Sequence, residues 1–478
     1  MKRSIHRSVT IVVLSLTASA AWGQGMPGMP GPAPYGAPVA GMTYYGDPGY
    51  AQTGPGAPSG YGPPPGMMGP GGPMPMGTNG AMPDGGPPPQ LPPEASPWQN
   101  PFSAEETLCY DQSCGCCSNC CRRNRLWGDV EFLLWWQKGS RLPPLFTTSS
   151  NPAEPRLTAG VLGDPDTVIL FGNELVGDEV QAGGRATLGF WTDDDHNTGI
   201  GTRFTGLAGD TEEFSASSDG STVLARPFFN SLLGQQDSLL IGFTDPVDGL
   251  IATGSVRSKF SNEFISSETF LRSMLERDRK KRVDFLLGYH FFRFDNFLSI
   301  NSNSTAQDPV FAGTTFSLFD RFDTENEFHG GMIGLDGSYA NGRWSVDWTA
   351  KLSYGRARQT SEIAGGLTIT PPALPPIPLN GGLFAQGTNI GTRTRYEDVF
   401  VPEINLALAY HVSPNMSLSL GYNYLWISSV LLSGDQIDTN VNLSQQTGPL
   451  VGPARPAFAF NDDDYWMQGI NFAMNYNF

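Results

Sequence analysis

From Leu126 onward the chain repeats a pattern that few folds accommodate: runs of ten or more residues in which apolar and polar side chains alternate. Over 343–354, Trp344, Val346, Trp348, Ala350, Leu352 and Tyr354 alternate with Arg343, Ser345, Asp347, Thr349, Lys351 and Ser353. Successive side chains of a β-strand point to opposite faces, so this run has one apolar and one polar face. The segments 282–291, 400–412, 416–427 and 466–478 behave in the same way. Alternation alone also suits a soluble sandwich. Length argues otherwise: globular strands average about 5–6 residues, whereas about 9–11 tilted residues cross a bilayer.

The spacing predicts ten strands near 126–137, 183–191, 199–208, 254–275, 282–296, 325–340, 343–361, 397–411, 416–429 and 464–478. Their connections alternate between brief (192–198, 276–281, 341–342, 412–415) and long, the latter about thirty to forty-five residues each. Asn341-Gly342 is the dipeptide of a tight type I′ hairpin. Short turns on one side and long loops on the other are the arrangement of outer-membrane barrels. Aromatics should gather in two girdles: Trp135, Trp136, Tyr289, Phe291, Phe400, Tyr424, Trp426 and Trp466 outside, and Trp191, Tyr339, Trp344, Tyr410, Tyr476 and Phe478 inside. The expected fold is all-β: a transmembrane antiparallel up-and-down β-barrel of about ten strands, with twelve as the alternative, over 126–478. No run of about 18 apolar residues exists for a helical span.

What precedes the barrel is of another kind. Residues 1–23 read as a Sec signal peptide: Lys2, Arg3 and Arg7, then an apolar core, then Ala18-Ser19-Ala20 for cleavage. Residues 24–101 hold 22 Pro and 19 Gly with no Lys or Arg, a disordered Pro/Gly-rich linker on the periplasmic side. All six cysteines, Cys109, Cys114, Cys116, Cys117, Cys120 and Cys121, fall in the tract 102–125. In an exported chain they are disulfide candidates, with fifteen pairings open; zinc ligation by the clustered thiolates is the other reading. The net charge of −17, without a basic stripe, argues against nucleic acid as a partner.

The stretches Ala159-Gly160-Val161-Leu162-Gly163, Phe214-Ser215-Ala216-Ser217-Ser218 and Ala225-Arg226-Pro227-Phe228-Phe229-Asn230 resemble the β-barrel porin-7 family of planctomycete-type outer-membrane proteins. So do Gly342-Arg343-Trp344, Ile369-Thr370-Pro371-Pro372, Asn389-Ile390-Gly391, Val401-Pro402-Glu403 and Gly434-Asp435-Gln436-Ile437-Asp438. The resemblance implies an outer-membrane barrel of porin type without an assigned enzyme activity. It supplies no binding residues to carry over.

The polar faces nominate the lumen lining: Asp129, Glu131, Glu268, Asp284, Asp347 and Glu403 against Arg185, Arg203, Arg272, Arg282, Arg343 and Lys351, with His290 also inward. Ten strands enclose little more than the eight-stranded barrels that side chains fill. The charges are therefore expected to pair across the lumen and leave a narrow or plugged path for small solutes or ions. The acid runs at 193–195 and 462–464 are read as solvated loop charge rather than calcium sites. His329, near Asp323, Glu325 and Glu327, is the one arrangement tolerable for a barrel-borne hydrolase, and it is read as structural. No catalytic, metal or cofactor residues are assigned. Expected partners are outer-membrane lipid, the barrel-assembly machinery through the C-terminal aromatic strand, and small solutes or ions. A non-conducting scaffold or adhesion barrel with the loops as binding face is the alternative.

Overall fold

The computed structural model describes residues 125–477 apart from 152 and 310. The chain divides into units 1–87 and 88–478, and every described residue belongs to the second. The expected signal peptide and linker, and the cysteine tract from Cys109 to Cys121, lie outside the described residues.

Ten strands close into one antiparallel barrel: β1 (Leu126–Gln137), β2 (Gln181–Trp191), β3 (Thr198–Ser218), β4 (Gly249–Arg277), β5 (Lys281–Ala306), β6 (Thr315–Asn341), β7 (Trp344–Thr370), β8 (Gly391–Ser413), β9 (Met416–Leu431) and β10 (Asp462–Asn477). Each pairs with its neighbours in sequence, and β10 pairs back onto β1 with Phe472 opposite Phe132. The stagger follows from a walk along paired residues. The Arg125 carbonyl accepts the Trp191 amide, and pairing leads on through Gly199, Arg272, Leu286, Gly334, Lys351, Glu403, Leu425 and Met467 to Gln137. The walk thus returns to β1 twelve residues from its start, 125 to 137. Such a stagger over ten strands corresponds to a tilt of about 40°.

The four brief turns lie where the spacing puts them. Gly342, at φ 65°, takes the left-handed conformation that the two-residue return between β6 and β7 needs. Asp193 closes the β2–β3 turn by accepting the amides of Asn197 at 3.0 Å and Thr198 at 2.7 Å. At the other end the loops run over 138–180, 219–248, 307–314, 371–390 and 432–461. The third and fourth are much shorter than expected, because β5, β6 and β7 continue about ten residues further than the alternation predicts.

The reason is a change of sign in the pattern, without a change of parity. Near the turns Leu287 and Tyr289 of β5 point outward and are exposed, while Asp284 and His290 point inward and are buried. Beyond Phe291 the inward residues are Phe292, Phe294, Leu298 and Ile300, all buried, and the outward ones include Arg293 and Asp295. β4 switches likewise, from outward Leu271 and Ile265 to inward Phe264, Phe260 and Val256. The turn-side half of the barrel is apolar outside and polar inside; the loop-side half is the reverse. A lipid-facing belt explains the first half and an aqueous surround the second.

Two aromatics depart from the expected girdles. Trp135 and Trp191 point inward and are buried, because parity with Leu133 and with Arg185 places them on the lumen face. Tyr289, Tyr339, Trp344, Phe400, Tyr424 and Tyr476 do face outward and are exposed. Phe478 lies outside the described residues.

The loops fold back over the barrel mouth. Gln235–Asp245 extends the sheet from the end of β4, and Leu224–Asn230, Phe146–Ser149 and Thr167–Phe171 follow it in order. Leu142, Leu145, Phe146, Leu224, Phe228, Leu383, Phe384 and Val441 from these loops pack on Val256, Phe260, Leu298, Ile300 and Phe322 of the wall, forming one apolar core.

Candidate functional site

The lumen is filled in layers. Nearest the turns, Trp127, Trp191, Phe270, Leu286 and Met332 cluster together. Arg272 lies over the Trp127 and Trp191 rings at 5.3 and 5.4 Å, and Arg282 over Trp191 at 4.6 Å. Arg272 pairs with Asp284 and Asp336 at 2.5 Å each, and Arg282 with Asp284 at 2.9 Å. Asp347 accepts hydrogen bonds from Ser338 and Ser345.

Above this sits a slice of buried charge. Lys351 Nζ lies 2.6 Å from Glu268 Oε1 and 2.7 Å from Glu403 Oε2. Arg185 bridges Glu403 at 3.4 Å and Glu131 at 3.6 Å; Arg203 lies 3.7 Å from Glu268. Neutral groups complete the set. Asn423 donates to Glu403 at 2.9 Å, Asn471 to Glu131 at 2.6 Å, and His290 is held between Ser266 at 3.0 Å and Ser353 at 2.8 Å. The tilt of the strands brings these residues to one height. Every strand except β6 contributes, and β6 offers Gly330 there, where a Cβ would strike the Phe328 ring at 2.4 Å. Three carboxylates face three cations, so the slice is balanced.

A third layer is apolar, with Leu133, Trp135, Phe264, Phe292, Phe294, Phe328, Leu425 and Met467. Over it, Thr324 and Asn326 bind the backbone of Leu431 at the end of β9, and Asn296 that of Ser433 at the start of loop 432–461. Asn326 Oδ1 accepts the Leu431 amide at 2.7 Å, and Asn296 Oδ1 accepts that of Ser433 at 2.8 Å.

Of the sequence candidates, Glu131, Arg185, Glu268, His290, Lys351 and Glu403, with Arg203, meet in the charge slice. Asp129 points inward just below it. Arg272, Arg282, Asp284 and Asp347 belong to the turn-side layer. Arg343 does not line the lumen: it lies in the β6–β7 turn and donates to the outward Tyr410 hydroxyl at 3.2 Å. Proximity to the turn releases it from the strand parity on which the expectation rested.

The alternation missed the knot that holds the cap. Arg226, from loop 219–248, and Asp320 of β6 pair at 2.5 Å with both side chains fully buried. Asp320 also accepts the amides of Phe384 at 2.9 Å and Ala385 at 2.8 Å from loop 371–390, and Arg226 lies 5.1 Å over the Phe384 ring. Asp320 falls in a stretch read as loop. The apolar alternation of Leu318 and Phe322 around it, inverted in sign, was the available signal.

The acid runs are engaged locally. Asp194 pairs with Arg125 at 2.6 Å, and Lys138 with Asp463 at 2.7 Å and Asp464 at 2.6 Å. Trp426 Nε1 also donates to Asp464 at 2.9 Å. In loop 432–461 burial pushes Asp435 up to about 6, with the neighbouring Asp463 carboxylate adding to it and Lys138 opposing. Glu154, Asp164 and Asp166 of the first loop also lie together. Their oxygens serve its own turns: Glu154 accepts from Ser149 at 3.0 Å and from Thr158, and Asp164 accepts the Asp166 amide at 3.0 Å. His329 is on the outer wall of β6, not in a loop, between Tyr289 and Glu327, the latter at 3.1 Å. Glu325 is paired with Arg293 and Arg358, and Asp323 with Arg321.

Fold and lining together define a membrane-spanning β-barrel of the bacterial outer membrane with a side-chain-filled lumen. Residues 127–478 match the family described as putative beta barrel porin-7, and the chain belongs to it. No curated protein matches the chain. Among solved structures it is similar to the Escherichia coli outer membrane protease OmpT, at 10% identity over 74% of this chain and 97% of that one, with a TM-score of 0.32. It is also similar to a Pseudomonas aeruginosa FadL homologue (8% identity, 74% and 90% covered, TM-score 0.24). A third is the Pseudomonas putida toluene transporter TodX (10% identity, 74% and 90% covered, TM-score 0.18). At scores this low none of these likenesses bears on function.

Proposed function

We propose that this chain is an outer-membrane barrel of porin type whose resting state is closed, and that small ions or solutes pass only when the charge slice opens. The observation that carries the reading is the slice itself. Buried ion pairs gain little over an apolar filling of the same volume, so a barrel needing only rigidity has no use for one. Paired charges can separate and rehydrate, and passage also requires the apolar layer of Trp135, Phe292 and Phe328 above them to part. Passage is passive and involves no catalytic step. Export uses the signal peptide at 1–23, the Pro/Gly linker stays periplasmic, the cysteines after it form disulfides, and the aromatic last strand engages the assembly machinery.

The loop cap favours a second reading, a non-conducting surface scaffold. The Arg226–Asp320 knot ties loops 219–248 and 371–390 to the wall, which suits a rigid binding face. Single-channel recording of the full-length exported protein in planar bilayers separates the two. The expected result is silence or brief small openings at rest and sustained openings once Lys351→Met or Glu403→Gln breaks the slice. A steady nanosiemens-scale conductance in the unmodified protein would overturn the closed state. Silence in every slice variant would overturn passage and leave the scaffold.

A further inference from the structure

The turn end of the barrel is charged unevenly around its rim. The chain carries 29 Lys and Arg against 46 Asp and Glu, yet over 277–282 only Asp278 interrupts Arg277, Arg279, Lys280, Lys281 and Arg282. Three of these cations are engaged. Arg282 is buried and pairs with Asp284 at 2.9 Å, Lys281 pairs with Glu276 at 2.5 Å, and Arg277 donates to the Asp195 carbonyl at 3.2 Å. Arg279 and Lys280 are exposed and make no ion pair among the described residues. Backbone bonds fix where they stand. Ala340 donates to the Lys280 carbonyl at 2.6 Å, so the β4–β5 turn lies against the end of β6. The next turn carries the exposed Arg343, whose carbonyl accepts the His411 amide of β8 at 2.8 Å. The rim from β4 to β8 is therefore basic, whereas the β2–β3 turn carries Asp193, Asp194 and Asp195.

The outer wall beside the basic rim is suited to lipid. Lys281 stands opposite Tyr339 in register, and Tyr339 opposite Val346. Nearer the rim Trp344 stands opposite Tyr410, with the rings 5.0 Å apart. Tyr339 and Trp344 are 52% and 53% exposed. Aromatic rings with polar tips settle at headgroup depth, and the brief turns of such barrels lie at the periplasmic leaflet. We propose that Arg279 and Lys280, with Arg343 beside them, bind the phosphate of an anionic glycerophospholipid of that leaflet, whose glycerol and acyl chains lie on Tyr339, Trp344 and Val346. Ammonium and guanidinium groups only donate, which matches the acceptor oxygens of a phosphate. The acidic β2–β3 turn repels the same headgroup, so the lipid gathers on one flank. The β4–β5 turn spans only 278–280 and holds its cations at the barrel edge, which favours lipid over the cell wall as the anion. The site rests on the barrel's place in the outer membrane and not on passage through the lumen, so it fails or stands separately from the closed channel.

The test uses the full-length exported protein in phosphatidylcholine vesicles at low salt, with brominated phosphatidylglycerol or brominated phosphatidylcholine as quencher. Quenching of Trp344 is read as the difference between each protein and the same protein carrying Trp344→Phe. Phosphatidylglycerol should be preferred at Trp344 at least about fivefold, the effect of one cation near an anionic surface, and high salt should reduce the preference. Arg279→Gln with Lys280→Gln should bring it to about one, while Arg356→Gln on the loop-side outer wall leaves it unchanged. No preference in the unmodified protein overturns the site whether or not the variants fold, and so does a preference that survives the double substitution. Loss of the preference to inorganic phosphate at matched ionic strength would mark a soluble-anion site instead. Binding to isolated peptidoglycan that the double substitution abolishes, without any lipid preference, would transfer the rim to the wall.

Discussion

Replacing Lys351 by Met tests whether the charge slice is dry. The ammonium bonds Glu268 at 2.6 Å and Glu403 at 2.7 Å, so the two carboxylate oxygens it joins are at most about 5.3 Å apart. Without it they face each other at that distance with an effective dielectric of about 20, a repulsion of roughly 3 kcal/mol. Arg185 at 3.4 Å from Glu403 and Arg203 at 3.7 Å from Glu268 relieve part of this. Desolvation of an unpaired carboxylate adds to it, and breaking a buried pair typically costs about 3–5 kcal/mol. The expected loss for Lys351→Met is therefore about 3 kcal/mol, read from urea unfolding in lipid vesicles by tryptophan fluorescence. Glu268→Gln in the same background should restore about half, because only one carboxylate then lacks its partner. A loss below about 1 kcal/mol, the range of exposed pairs, would mean that water screens these groups and that the lumen is wet.

Asp320→Ala leaves the Arg226 guanidinium buried without its counter-charge and should cost about 3–5 kcal/mol. Limited proteolysis should then cut within 371–390 while the barrel keeps its heat-modifiable gel mobility; an uncut loop would refute the knot. Gly337 lies under the outward Trp348 ring, where a Cβ would come within 2.2 Å of Cε2, so Gly337→Ala should displace the indole and cost about 1–3 kcal/mol in the same unfolding assay. Asp435 has a folded pKa of about 6 against an ordinary 3.8. A raised carboxyl binds its proton more tightly when folded, so its contribution is full below 3.8 and is lost as pH rises through about 6. Relative to the intrinsic exchange rate at each pH, the amides of loop 432–461 should accordingly be better protected at about pH 5 than at about pH 8, and Asp435→Asn should flatten that difference in protection.

How much of this was legible in the sequence depends on which half of a strand is read. In 343–354 the apolar face looks out at lipid and the polar face into the lumen, and strand, turn and candidate charges all follow. In 297–306 and 315–323 the strands continue with the same parity, but Leu298, Ile300, Leu318 and Phe322 point inward. A reader who requires apolar residues on the lipid side breaks the strand there and writes a loop. Trp135 and Trp136 illustrate a second limit: two adjacent indoles cannot share a face, and composition alone does not say which belongs to the girdle. The slice partners Asn423 and Asn471 carry the right parity. Their pairing with Glu403 and Glu131 depends on the twelve-residue stagger, which relates strands distant in sequence. Arg226 and Asp320 meet only because two loops fold inward, and no local pattern encodes that meeting.

The barrel wall is not of even height. Strands β3 to β8 run 21 to 29 residues, whereas β9, β10, β1 and β2 run 16, 16, 12 and 11. The barrel wall therefore rises like a chair, with a tall back and a low front. The back is continuous hydrogen-bonded sheet carrying Arg293, Glu325, Arg356 and Arg358 on its outer surface. The front is open to loops 138–180 and 432–461, which lean over the missing wall. A molecule approaching along the membrane plane meets a different surface on each flank: a charged sheet behind, and the loops of the cap in front.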